Sequence, residues 1–304
     1  MATIGTEALL LLLRLNLVAA AAIALVLMVR PLLRRWFGAH PTYLSWLLVP
    51  IAVLGAIIPA PEGGGPVQPL EAAVAAAHAW LSFGADRWIL VGVWATGTLA
   101  AAAFVAWRYA RFLAEEDAGL AGPAIVGIVA PRVVMPADFG TRFTPSECRL
   151  VRAHERAHID RLDARCNALV LAMQCLNWFN PLVHLAARAI RFDQELACDA
   201  TVMTRLPTER RRYAEALLRS QHAAVASPLG CDWSCAGARL LMTRLTILME
   251  KQPGEKRCEL GDMLLAGLWA LVLVTGWTAQ PPDRRPRNAA TDVVFLQLAP
   301  RAHS

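Results

Sequence analysis

Four apolar stretches constrain this chain more than any other feature, because each is close to the length a helix needs to cross hydrocarbon. Ala8–Val29 is apolar apart from Arg14 and Asn16, Tyr43–Ala60 and Trp88–Trp107 carry no charge, and Met263–Ala279 lies near the C-terminus. A helix rising 1.5 Å per residue needs about 20 residues to cross a core of about 30 Å. The chain has 304 residues, 56% of them hydrophobic and 18% charged, which leaves too little charge to clothe a soluble domain of that length. The expected fold class is a mainly α membrane protein with about four transmembrane helices.

The first stretch is read as a retained span. Its apolar core is long for a signal peptide, and Glu7 precedes it in place of a basic cluster. Arg30, Arg34, Arg35 and His40 follow that span, and Arg108 and Arg111 follow the third. The loop 61–87 carries Glu62, Glu71, Asp86 and one arginine. Positive-inside bias therefore places the N-terminus outside and 109–262 in the cytoplasm of a multi-pass inner-membrane protein. Arg284, Arg285 and Arg287 would then lie outside, which runs against the fourth span. The organisation expected is a three-span region 1–107, a cytoplasmic or membrane-surface domain 108–261, a fourth span 262–280 and a tail 281–304. The net charge of +6 calls for no nucleic-acid partner, since the cations sit beside spans or alternate with carboxylates, as in Glu209-Arg210-Arg211-Arg212. Cys166, Cys175 and Cys198 read as small core residues in a reducing compartment, and Cys231 and Cys235 lack the further ligands a second metal site needs.

Between Pro123 and Pro136 the β-branched run Ala-Ile-Val-Gly-Ile-Val-Ala-Pro-Arg-Val-Val-Met predicts two short strands. Thr144-Pro145-Ser146-Glu147 then carries a capping box with proline at the first helical position. The helix it opens is expected to run to about Trp178, where Asn180-Pro181 breaks it. Another follows over Leu182–Thr204, with more at Thr208–Ala224 and Ala236–Lys251.

His154-Glu155-Arg156-Ala157-His158 lies inside the first of these helices. A four-residue step returns to the same face, so both imidazoles can reach one Zn²⁺. Glu155 is turned about 100° from His154 and flanks that position, where it can take a proton from an attacking water. A catalytic zinc takes three protein ligands and keeps one position open. Glu195 in Asp193-Gln194-Glu195-Leu196-Ala197-Cys198-Asp199 suits the third, on a helix able to fold back. Asp199, one turn on, can accept the free N–H of a ligating histidine. For stabilising the oxyanion, Tyr213 and His222 are candidates by residue type only.

His-Glu-x-x-His, an Asn-Pro helix break and Glu-Leu-Ala-Cys-Asp together resemble the gluzincin membrane peptidases of the BlaR/MecR type. Pro131-Arg-Val-Val-Met-Pro136 and Trp178-Phe-Asn-Pro181 strengthen the likeness. It implies a helical gluzincin-like metallopeptidase domain with a short β element. It also implies zinc on His154, His158 and Glu195, Glu155 as base, and Asp199 behind a ligand. Some members sense β-lactams and proteolyse a cytoplasmic repressor. Here residues 280–304 are too few for a penicillin-binding sensor domain and hold no Ser-x-x-Lys, so antibiotic sensing by this segment is not expected.

A transmembrane reading of Ala168–Ala187 would put Glu195 and His154 on opposite sides. A helical hairpin turning at Asn180-Pro181 keeps them together and sets its apolar face against the spans. The expected activity is zinc-dependent endopeptidase hydrolysis of a cytoplasmic or membrane protein, such as a transcriptional repressor, with the lipid bilayer as second partner and a homodimer allowed. Ala124–Val129 could hold an extended substrate by strand addition. Two alternatives share the motif: an HtpX- or CaaX-protease-like processing or quality-control peptidase, and a non-catalytic membrane transducer with a zinc site. A transporter would need paired charges within the spans, and only Arg14 qualifies.

Overall fold

The computed structural model describes residues 2–58, 87–219, 238–250 and 252–278. Most of the loop 61–87, His222, Cys231, Cys235 and the tail 281–304 lie outside these residues. Helix α1 spans Ala2–Phe37, and α2 (Ala39–Leu44) runs through a 3-10 turn, Ser45–Leu47, into α3 (Leu48–Ile57). Helix α4 covers Arg87–Asp117. Strands β1 (Ala124–Val126) and β2 (Arg132–Val134) pair antiparallel, with Ala124 opposite Val134. Gly127 turns this hairpin at φ +94°, where a Cβ would meet Ala130 O at 2.8 Å. Then come α5 (Phe139–Arg142), α6 (Pro145–Asp160), α7 (Asp163–Leu176), α8 (Pro181–Arg205), a 3-10 turn at Pro207–Glu209, α9 (Arg210–Arg219), α10 (Ala238–Met249) and α11 (Glu255–Thr278).

Among the described residues, four helical runs are long and apolar enough to cross a membrane: Leu9–Phe37, Ala39–Ile57, Trp88–Asp117 and Glu255–Thr278. They match the four stretches expected, extended at their polar ends. The second is interrupted by the 3-10 turn, and its Trp46 and Leu48 are buried against Ile23 and Val26 of α1. The same cluster takes in Val183, Ala186 and Ala189 of α8. The spans and α8 therefore share one core. A second core, including Val151, Val202, Tyr213, Leu217, Leu241 and Leu248, binds α6, α8, α9 and α10 together.

The capping box opens α6 as expected: Thr144 N donates to Glu147 Oε2 at 2.8 Å, and the Thr144 hydroxyl accepts from Glu147 N. The continuous helix expected to Trp178 is not present. Leu162 takes a left-handed conformation, φ 60°, and splits it into α6 and α7. Its carbonyl accepts from Arg165 N and Cys166 N, so the break ends one helix and starts the next. Leucine favours helix interiors, so residue type gave no sign of this break. The reason for it is tertiary: the turn swings Asp163 back to His158.

The Asn180-Pro181 break is present. Asn180 caps α8 by accepting from Leu182 N at 3.0 Å, with Pro181 in the first turn. Helices α7 and α8 pack as a hairpin, so Ala168–Ala187 is not one span.

Candidate metal centre

Helix α6 places the His154 and His158 Nε2 atoms 3.1 Å apart, with the rings 82° to one another. Helix α8 brings Glu195 between them. Its Oε2 is 3.3 Å from His154 Nε2 and its Oε1 3.4 Å from His158 Nε2. A tetrahedral zinc with bonds of about 2.0–2.1 Å sets its ligand atoms roughly 3.3 Å apart. The three side chains fit an ion of that size, and all are buried.

Glu155 lies beside them, 0% exposed, and neither carboxylate oxygen has a hydrogen-bond partner. Burial raises its pKa to about 7, against the pull of His154 and His158. A buried carboxylate without a donor is costly, and a cation or a proton-bearing reactant is what would relieve it.

Behind each histidine stands a different support. His154 Nδ1 is 2.7 Å from the Tyr213 hydroxyl, which donates to Asp199 Oδ1 at 2.6 Å. Asp199 itself is 3.4 Å from His154 Nδ1. It therefore stands close behind the histidine, and Tyr213 takes the shorter contact. That engagement points the Tyr213 hydroxyl to the far side of the ring, away from any oxyanion at Nε2. The other support is Asp163, whose Oδ2 is 2.8 Å from His158 Nδ1. Asp163 Oδ1 accepts from Tyr43 in the second span at 2.9 Å, and Gln194 Nε2 donates to the Tyr43 hydroxyl at 3.1 Å.

Arg244 of α10, also 0% exposed, closes the arrangement. It donates from Nε and Nη2 to the two oxygens of Asp199, at 2.8 and 2.6 Å, and sets Nη1 2.8 Å from Glu195 Oε2. Burial pushes the Asp199 pKa up, but Arg244 and His154 outweigh it and hold it at about 2. Arg244 and the two histidines likewise keep Glu195 well below the ordinary carboxylate range despite burial. Cys198 does more than fill space. Its Sγ is 3.2 Å from His158 Nδ1 and 3.6 Å from Asp163 Oδ2, and burial raises its pKa to about 11.

Asp163, Arg244 and Tyr43 carried no sequence signal. The first depends on the break at Leu162, and the other two reach the site from distant elements.

Residues 116–248 match the family model described as BlaR1 peptidase M56. Over these residues the chain resembles the peptidase domain of the BlaR/MecR type. It is 29% identical to the regulatory protein BlaR1 of Bacillus licheniformis over 98 residues, 32% of this chain and 16% of that protein. It is 28% identical over 106 residues to the methicillin resistance mecR1 proteins of Staphylococcus aureus and Staphylococcus epidermidis, 33% of this chain and 18% of theirs. The chain thus matches under a fifth of the length of these relatives. The peptidase-family match and the apolar helices together make this a membrane protein with a peptidase-family domain.

Proposed function

We propose that the chain is a multi-pass inner-membrane zinc metalloendopeptidase, with His154, His158 and Glu195 as zinc ligands and Glu155 as general base. The observation that carries this reading is the pairing of a three-ligand cluster of zinc dimensions with an unpartnered, buried Glu155. A structural zinc site has no use for such a carboxylate, and that favours catalysis over a non-catalytic transducer. The match to the BlaR1 peptidase family supports this type over the HtpX or CaaX-protease type.

Zinc in this site would polarise the scissile carbonyl and make water acidic enough to attack near neutral pH. The chain's own residues do the rest. Glu155 takes the proton of the attacking water and passes it to the leaving amine. Asp163 and the Tyr213–Asp199 pair fix the orientation of His158 and His154, keeping each Nε2 directed at the site. Arg244 keeps Glu195 ionised. The substrate we propose is a cytoplasmic or membrane protein cut in regulated proteolysis, such as a transcriptional repressor, with the peptidase region on the cytoplasmic side.

Wild type and Glu155→Ala, each in native membranes with co-expressed candidate repressors, provide the test by immunoblot. Fragments or repressor loss in the wild type alone is the expected result. Identical fragments in both would remove Glu155 from the mechanism.

A further inference from the structure

The turn joining α7 and α8, residues 177–180, touches two spans far from their basic ends. Asn180 Nδ2 donates to Asn16 Oδ1 of α1 at 3.3 Å. At the other end of the same pair of helices, Arg30 donates to Asp193 at 3.0 Å. Asn16 and Arg30 are separated by about 21 Å of helix, and Asn180 and Asp193 by about 20 Å. Helix α4 gives the same depth independently. Trp94 Nε1 donates to Leu176 O at 2.8 Å, and Trp178 Nε1 donates to Trp94 O at 3.3 Å. The Trp178 indole occupies the place a Cβ on Gly97 would take. Trp94 is about 21 Å of helix from Arg108, where the basic residues resume.

Several carbonyls around this turn are met by protein donors. Asn177 N and Nδ2 both donate to Met173 O at 2.9 Å. His184 Nε2 is 3.0 Å from Trp178 O, and Gln174 donates to His184 Nδ1 at 3.0 Å. Helix ends in water leave such carbonyls to solvent, whereas in hydrocarbon they need partners from the protein. Meanwhile the part of the outward face nearer the turn is apolar and uncovered: Leu169 is 53% exposed, Phe179 52% and Leu185 48%, comparable with Phe104 of the third span at 58%, while the exposed Arg165 and Arg188 lie further back toward the boundary.

We propose that the α7–α8 hairpin is a re-entrant membrane element, its outer face against lipid acyl chains and its tip about two thirds of the way across the hydrocarbon. About 20 Å of depth in a core of about 30 Å gives that fraction. The helix that carries Glu195 thus begins in lipid and reaches the membrane boundary, marked by Arg30, close to the candidate metal centre.

The test uses the full chain in native membranes, with benzoylphenylalanine replacing Phe179, Leu99 of the third span (70% exposed) or Arg211 of α9 (side chain 92% exposed). After irradiation, mass spectrometry reads phospholipid adducts on acyl chains. The expected result is acyl adducts at Phe179 and Leu99 in similar yield, with none at Arg211. Leu185 is probed in parallel, in case the change at Phe179 disturbs the turn. Capture at Leu99 with no acyl adduct at either Phe179 or Leu185 would overturn the proposal.

Discussion

Asp163 and Glu155 show how one site asks opposite things of two carboxylates. Asp163 is held by Tyr43 and holds His158. Asp163→Asn is expected to weaken zinc binding about 10- to 100-fold, read by competition with a chelator. Tyr43→Phe should shift it in the same direction and by less. Glu155 is left without a partner. Its pKa rises from an ordinary 4.5 to about 7, so in the metal-free fold its ionisation is penalised from above about pH 4.5 and fully above about pH 7. Chelated Glu155→Gln should therefore unfold later than chelated wild type at alkaline pH, by up to about 3 kcal/mol, and the gap should close as pH falls below 4.5. Equal stabilities at alkaline pH would contradict this. His154, Glu155 and His158 are legible in the sequence because their spacing is a property of one helix. Asp163 and Arg244 are not, because no local pattern says where a chain will return.

At the scale of elements, the break at Leu162 and the anchor in α10 decide whether the centre assembles. A φ of 60° is strained for leucine and closed to proline. Leu162→Gly should leave zinc affinity unchanged, whereas Leu162→Pro should abolish it by displacing Asp163; calorimetry of zinc binding distinguishes the two. Arg244→Ala leaves Asp199 and Glu195 buried without their guanidinium, and a loss of about 3–5 kcal/mol is expected in thermal or denaturant unfolding. Several element boundaries could be read in advance: the capping box at Thr144, the Asn180-Pro181 break, and the strand pair with Gly127 between. Each rests on local backbone chemistry. The split of the long helix into α6 and α7 could not, since it exists to satisfy His158 and leaves no mark in residue type.

Taken as a whole, the molecule does not separate into a membrane part and a peptidase part. Ile23, Val26, Trp46 and Leu48 pack with Val183, Ala186 and Ala189, and Asp193 is held by Arg30 and Trp46. Spans were legible from hydropathy, but this joint core was not, because an apolar helix face does not name its partner. A fragment 108–261 lacks Arg30, Tyr43 and Trp46, and it should bind zinc more weakly than the full chain in a titration under the same detergent. The most direct test of the central claim is zinc per chain, measured by mass spectrometry on purified full-length wild type and Glu155→Gln. One zinc per chain in both, removed in parallel by Glu195→Ala, is the predicted result. Wild type without zinc, or loss of zinc with Glu155→Gln, would contradict the assignment of three ligands and a separate base.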